Sequence, residues 1–401
     1  MKSVDKLTLK DLFLKGKRVL MRVDFNVPLS KEGKITDDSR VVAALPSIEY
    51  VLAHGASLIL MSHLGRPKPK PDPQFSLAPV AKRLSELLHK PVPIAPDCVG
   101  PEVEKMASDL RPGQVLMLEN VRFHIGEEEP EKDPSFVDRL AELGDLYVND
   151  AFGTAHRAHA STALIAKHFP GKAAAGFLME KELSFLYPLL QSPRHPFYAI
   201  IGGAKVSTKA GVIHNLLKRV DSLFLGGGMT FTFLKAEGIE IGSSLFEEGE
   251  VNGAKHILQN AKSIHLPTDL VIADAFSNDA NWKVIKSRSG IPKGWQGMDI
   301  GPETIHEWSR LLQKASTVFW NGPLGVFEMP HFAKGTFEIA TSLANSKAEV
   351  IVGGGDSVAA IQQMGLGEKF AHLSTGGGAA LEFLEFGHLP GIDALSPAKA
   401  K

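Results

Sequence analysis

The sequence has 401 residues, 44% of them apolar and 22% charged; this exceeds what one core organises, so two domains or one large α/β domain are expected and a wholly disordered chain is excluded. Lys and Arg number 44 against 45 Asp and Glu, so no overall field recruits nucleic acid or an anionic membrane, and an anionic ligand needs a local pocket. Cys98 is the single cysteine, which excludes an intrachain disulfide or a multi-cysteine metal centre. No apolar run reaches the roughly 18 residues of a membrane span, and the start, Met1 to Gly16, is studded with lysine and aspartate. A cytoplasmic protein is the expectation.

In chain order, short apolar runs recur and each breaks into small or polar residues: KRVLMRVDFN, ASLILMSHLG, VLMLENVRF and LYVNDAFG, then YAIIGGAK, SLFLGGGM, DLVIADAF, TVFWNGPLG and EVIVGGGDS. Continuous rather than alternating apolarity predicts buried, largely parallel strands. Between them, LAPVAKRLSELLHK and FVDRLAELGDL carry apolar residues at helical spacing. Such β–α alternation predicts α/β domains, open parallel sheets with helices on both faces. Pro67 to Pro73 is proline-rich and predicts an exposed loop. Residues 176–191 form one long helical pattern ending at the breaker-rich SPRHP of Ser192 to Pro196, with an α/β block on either side.

In open parallel sheets ligands sit beyond the carboxyl ends of the strands, so the residues after each apolar run are the candidates for chemistry. In the first half these are Arg22, Asp24 and Asn26, then His63 and Arg66, Arg122, and His156 with Arg157; Arg40 lies just beyond the first group. Guanidinium groups bind phosphate and carboxylate bidentately, so this set suits a small, multiply charged anion. Taken singly, each arginine also fits a surface ion pair.

The second half is glycine-rich, with 27 of the 38 glycines in residues 191–401, including GGG at Gly226, Gly353 and Gly376. Lys205, Lys209, Asn321, Glu328 and Asp356 stand among these turns. Glycine turns opening helices expose N–H groups and suit phosphates, so a nucleotide is the economical ligand, and one Asp there could hold Mg²⁺. Close packing is the alternative role of such a turn. The dinucleotide pattern G-x-G-x-x-G fails at each triplet, where Phe231, Val358 or Leu381 takes the last place, and the P-loop and protein-kinase signatures are absent. HRAH at His156 to His159 lacks a third metal ligand, and Arg157 would repel a cation.

MRVDFNVPL, SHLGRP, ENVRFH, NDAFGTAHRAHAS, GGAKVSTK, LGGGMTFTFL, WNGPLGVFE, GGGDS and STGGGA, in this order from Arg18 to Gly391, resemble the phosphoglycerate kinase family. The resemblance implies two Rossmann-like domains with parallel sheets, joined by a hinge helix: residues 1–175 for 3-phosphoglycerate, 176–191 as the hinge, 192–388 for the nucleotide, and a tail, 389–401, returning to the first domain. It implies reversible phosphoryl transfer from 1,3-bisphosphoglycerate to MgADP by hinge-bending closure, in a cytoplasmic monomer with no nucleic-acid or membrane partner.

By the same likeness, Asp24, Asn26, Arg40, His63, Arg66, Arg122, His156 and Arg157 hold the glycerate and its phosphate, with Phe25, Leu64 and Gly65 beside them. Lys205 meets the phosphoryl group in flight, with Arg40 as the other catalytic cation. Lys209 meets the nucleotide phosphates, Glu328 the ribose and Asp356 the Mg²⁺. Gly354, Gly355 and Ser357 form the phosphate turn, Gly227 and Gly297 lie near the adenine, and Gly203 and Asn321 complete the nucleotide set. Ala275, Ala380 and the FLEF at Phe383 to Phe386 depart from the family pattern without removing a phosphate or metal ligand. A metabolite-sensing binding module and a dehydrogenase of the same sheet class are the alternatives; ligand binding without turnover, or nicotinamide binding, would favour them.

Overall fold

Strands β1 (Arg18–Arg22), β2 (Ser57–Met61), β3 (Val115–Met117), β4 (Leu146–Asn149) and β5 (Ala173–Ala175) form a parallel sheet in the order β3-β2-β1-β4-β5. The structure is a computed structural model describing residues 5–261 and 263–398. All five residues of β2 are buried. Successive strand side chains point to opposite faces, so both faces of this sheet are covered, as its unbroken apolar runs require. Val19, Met21, Leu58, Leu60 and Val148 pack with Val41, Ile48 and Val51 of helix Ser39–Ala53 and Val80 and Leu84 of helix Ala78–Leu88. Residues 67–71 are an exposed loop apart from the half-buried Pro67.

The long helix is Phe177–Gln191. Its first N–H groups find no helical acceptor. Two other elements supply acceptors: Phe177 N–H donates to Ser47 Oγ (2.9 Å), and Leu178 and Met179 N–H donate to Asp150 Oδ1 (2.9 and 3.2 Å). Burial pushes the Asp150 carboxyl up to about 6, although hydrogen bonds from the Ser47 side chain and the Met179 and Leu178 N–H groups pull it down. The chain divides within this helix into Met1–Ser184 with His388–Lys401, and Phe185–Gly387. In the first unit, Leu7 N–H donates to Ser396 O (2.8 Å), Ser396 N–H to Ala173 O (3.0 Å) and Lys6 Nζ to Asp393 O (2.7 Å). Of the first domain and the tail as expected from sequence, residues 1–4 and 399–401 lie outside the described residues.

The second unit holds β6 (Phe197–Ile201), β7 (Ser222–Leu225), β8 (Ile264–His265), β9 (Asp269–Ala273), β10 (Trp282–Lys286), β11 (Gln296–Ile300), β12 (Thr317–Asn321), β13 (Glu349–Gly353) and β14 (His372–Leu373). Six of them form a parallel sheet in the order β14-β13-β12-β6-β7-β8, which is the doubly wound order with its switch point between β6 and β12. DLVIADAF does not join it. As β9 it is the centre of an antiparallel sheet, β10-β9-β11, inserted between β8 and β12. Its five buried residues explain the apolar run, because continuous apolarity reports cover on both faces and not strand direction.

At the switch point two main chains touch. A Cβ on Gly202 would lie 2.2 Å from Pro323 O, and one on Gly322 would lie 2.3 Å from Gly202 O. Gly322 also has φ +93, and its N–H donates to Ser357 Oγ (2.6 Å). Only glycine fits such an approach.

Two glycines of positive φ separate strain from contact. Gly238 (φ +79) ends helix Thr230–Ala236 with nothing within 4 Å of its would-be Cβ, so Gly238→Ala is expected to cost about 1–2 kcal/mol. Gly322→Ala adds the backbone clash and is expected to cost more than about 3 kcal/mol. Urea unfolding followed by tryptophan fluorescence measures both; equal losses would show that the contact contributes nothing.

Candidate functional site

In the first unit the turns after β1, β2 and β3 are bonded into one surface. Asn26 Oδ1 accepts Gly65 N–H (2.8 Å), Ser62 Oγ accepts Phe25 N–H (2.9 Å), and Asn120 Nδ2 donates to Leu64 O (2.7 Å). Gly65 takes φ +61, and its carbonyl accepts from Arg122 Nη1 (2.7 Å). The side chains of Phe25 and Leu64 lie in the core, so these two positions offer main-chain groups only.

The cations of these turns converge on His63. It is buried, and its Nδ1 is 3.2 Å from Arg22 Nη2. A guanidinium can only donate, so Nδ1 accepts and the ring proton sits on Nε2. Burial, then Arg22, Arg122, Arg40 and Arg157, hold the His63 pKa well below its ordinary value. His63 is therefore a neutral N–H donor in a field of four guanidinium groups. Burial and three of these arginines also hold His159 down to about 4.

Carboxylates keep the arginines in place. Arg40 pairs with Asp24, Arg122 Nη2 lies 2.9 Å from Glu128 Oε1, and Arg157 Nη1 lies 4.0 Å from the same oxygen. Arg157 Nε also donates to His156 Nε2 (3.3 Å). Arg66 is exposed at the end of the β2 turn. Arg22 differs from the rest: it is 1% exposed, and its Nε donates to Ser161 Oγ (2.7 Å), which donates to the buried Glu127 Oε1 (2.7 Å). It shapes the surface from beneath. Glu127 and Glu128 carry no motif that marks them in the sequence, and Ser161 stands in NDAFGTAHRAHAS without a role that its spacing reveals.

In the second unit the turns after β6, β7 and β12, with strand β11, enclose a cavity of about 420 Å³, within the usual range for a small-molecule site. Gly297 and Met298 form one wall, and Pro323, Leu324 and Val326 the other; Gly203 and Gly227 line it too. A Cβ on Gly227 would lie 2.5 Å from Gly203 N. Leu245 and Phe276 also line it although 62% and 64% exposed, as do Glu328 and Asp356. Exposed apolar side chains beside a mixed cavity suit a flat heterocycle.

Beside this cavity lies the polar set. Lys209 Nζ donates to Asn321 Oδ1. Burial lowers the Lys209 pKa to about 8, and Asp356 opposes this. Asn321 Nδ2 is a buried donor with no hydrogen-bond partner among the described residues. Gly354 (φ +93) caps helix Gly355–Gln363, whose first turn holds Asp356 and the buried Ser357. Lys205 is exposed on the turn after β6. Lys205, Lys209, Asn321, Gly354, Gly355 and Ser357 are not among the cavity-lining residues. One carboxylate beside N–H groups and a lysine fits Mg²⁺ carried on phosphate oxygens, since that ion takes few protein ligands. Sequence reasoning missed Leu245, Phe276 and Asp299, because exposure at a cavity mouth and burial in its wall are tertiary facts.

A family model described as phosphoglycerate kinase matches residues 9–387. The chain is similar to phosphoglycerate kinase, cytosolic, of Nicotiana tabacum (54% identical, covering 98% of each chain) and to phosphoglycerate kinase of Moorella thermoacetica (55% identical, covering 98% of this chain and 99% of that one). Its fold matches phosphoglycerate kinase from Coxiella burnetii, with TM-score 0.88 and 42% identity over 97% of this chain and 98% of that one. Phosphoglycerate kinase from Pyrococcus horikoshii OT3 matches with TM-score 0.82 and 34% identity over the same shares.

The field around His159 gives a stability prediction. Its folded pKa of about 4 lies below the ordinary 6.5, so the unfolded chain binds the proton first as pH falls. Its contribution is complete above about pH 6.5 and is lost between there and about pH 4. His159→Gln is expected to flatten unfolding free energy against pH in that window; an unchanged slope would remove His159 from the acid response.

Proposed function

The chain belongs to the phosphoglycerate kinase family, and from that premise we propose that it transfers a phosphoryl group reversibly from the acyl phosphate of 1,3-bisphosphoglycerate to MgADP, giving 3-phosphoglycerate and MgATP. The observation that carries this is the buried His63 facing four arginines on a sheet edge, in a chain whose other unit has a glycine-walled cavity beside Lys209 and Asp356. The first favours a small polyanion and the second a nucleotide.

In the forward direction the bond between phosphorus and the acyl oxygen breaks, leaving a carboxylate, while a bond forms to a β-phosphate oxygen of ADP. No proton has to move. The transition state is loose, so alignment and charge stabilisation carry the catalysis. Arg122, Arg157, His156 and Arg66 hold the 3-phosphate end, and His63 Nε2–H, Asp24 and Asn26 orient the glycerate, with Phe25, Leu64 and Gly65 giving the main-chain frame. Arg40, held by Asp24 at rest, balances charge on the departing carboxylate and phosphoryl oxygens, and Lys205 meets the phosphoryl group in transit.

On the nucleotide side, Gly297, Gly227 and Gly203 admit the base, and Glu328 holds the ribose. Lys209, Asn321 and the Gly354–Ser357 turn hold the phosphates. Asp356 would hold the Mg²⁺ that travels with the nucleotide and screens its phosphate charge. Donor and acceptor bind to different units, so the cycle requires an approach that brings the reacting atoms to roughly 3–3.5 Å and excludes water. Residues 176–191 are the proposed hinge. The cytosolic tobacco relative supports a cytosolic location, and a monomer suffices because neither half of the proposed site needs a second copy.

A coupled assay for MgATP-dependent consumption of 3-phosphoglycerate tests the activity. Arg40→Ala and Lys205→Ala are each expected to lower kcat by more than about a hundredfold, and near-normal turnover would remove that residue from the transfer. Asp356→Ala is expected to weaken MgADP binding in calorimetry while leaving Mg-free ADP binding unchanged; equal MgADP affinity in both proteins would exclude it as the metal ligand.

A further inference from the structure

Asp299 has no part in the transfer as proposed, yet it is a carboxyl group 4% exposed in the wall of the nucleotide cavity. Strand β11 brings it there through a bulge. Gly297 pairs with Ile272 and Asp299 with Val271, so Met298 is the extra residue and Gly297 and Asp299 occupy successive rungs of the ladder. Bulges recur beside functional sites because they re-aim a side chain.

The carboxyl group meets three elements. Oδ1 accepts the N–H of Ile300 (2.9 Å), and Oδ2 accepts that of Gly335 (2.7 Å), in the first turn of helix Lys334–Ala344. A Cβ on Gly325 or on Gly335 would lie 2.2 Å from Oδ1, so both chains approach the carboxyl with hydrogen alone. Gly325 belongs to the second wall of the cavity, which Val326 N–H also ties to Met298 O (2.9 Å). Burial pushes the Asp299 carboxyl up to about 7, against the pull of its two N–H partners. An apolar residue would fill this place without that burial cost, but it could not bond the Gly335 helix start to β11 as this carboxyl does.

We propose that Asp299 is a positioning residue for nucleotide binding: it holds the Gly325 wall and the Gly335 helix start against β11 and so fixes the width of the cavity that takes the base. This rests on the cavity being the nucleotide site. Asp299→Asn places an amide donor near the Gly335 N–H, and Gly325→Ala drives a methyl group into the carboxyl. Both variants are expected to raise the nucleotide KM, and the MgADP Kd measured by calorimetry, about tenfold or more, with kcat and the 3-phosphoglycerate KM within about twofold of the parent. An unchanged nucleotide KM and Kd in a folded variant, or an equal rise in both KM values, would overturn the assignment. If Asp299→Asn fails to fold, Gly325→Ala decides alone. Phe276→Asp at the cavity mouth separates the two levels. If it weakens MgADP binding while both wall variants do not, only the role of Asp299 fails; if it too leaves affinity unchanged, the cavity assignment falls and the role of Asp299 with it.

Discussion

Positive charge held where water is scarce is the constraint around which the first unit is built. The buried Arg22 and Arg122 and the more open Arg40 and Arg157 all act on one buried imidazole, and like charges at short range repel, most strongly where burial lowers the dielectric. Such a cluster persists only because each member is tethered: Arg22 through Ser161 to Glu127, Arg40 to Asp24, and Arg122 and Arg157 to Glu128. The tethers are of two kinds. Glu127 is buried, whereas Asp24 and Glu128 are partly open to solvent. Burial first, and then the same charge, keep His63 neutral, and the Arg22 contact at Nδ1 leaves Nε2 as its donor.

The second unit solves a different problem with different residues. A nucleotide needs N–H groups and a close wall, and glycine supplies both by having no side chain to interpose. At the meeting of the β6 and β12 turns the backbones stand so close that a single methyl group would part them, and Ser357 bonds one of these turns to the helix that follows β13. The turn that opens helix Gly355–Gln363 and the β12 sheet edge are therefore joined directly, and the antiparallel sheet contributes Gly297 to Ile300 to the facing cavity wall.

Much of this was legible in the sequence. Apolar runs marked the strands, and the residues after them, from Asp24 to Arg157 and from Gly203 to Ser357, lie at the sheet edges where open parallel topology puts them. What escaped depended on tertiary placement. DLVIADAF looks like any parallel strand, since its apolarity records cover and not direction. Trp282–Lys286 is an exposed strand whose WKVIK gave no buried pattern. Arg22 resembled a ligand and is a support, because burial by Ser161 and Glu127 cannot be inferred from a cation at a strand end. Asp299 stood in MDIG without a motif, and only the bulge one residue earlier gives it a place. The caps of helix Phe177–Gln191 come from positions 47 and 150, distant in the chain from the helix they start.

The return of residues 388–398 to the first unit has a consequence for biosynthesis. Residues 388–398 bond to Leu7, Ala155 and Ala173, so the polypeptide leaves the first unit, builds all of the second, and comes back. During translation, domains ordinarily fold in the order they emerge; here the first unit lacks residues 388–398 until all of the second unit has been made. The second unit is topologically a guest inserted into its host, and the host cannot close before its guest has been made.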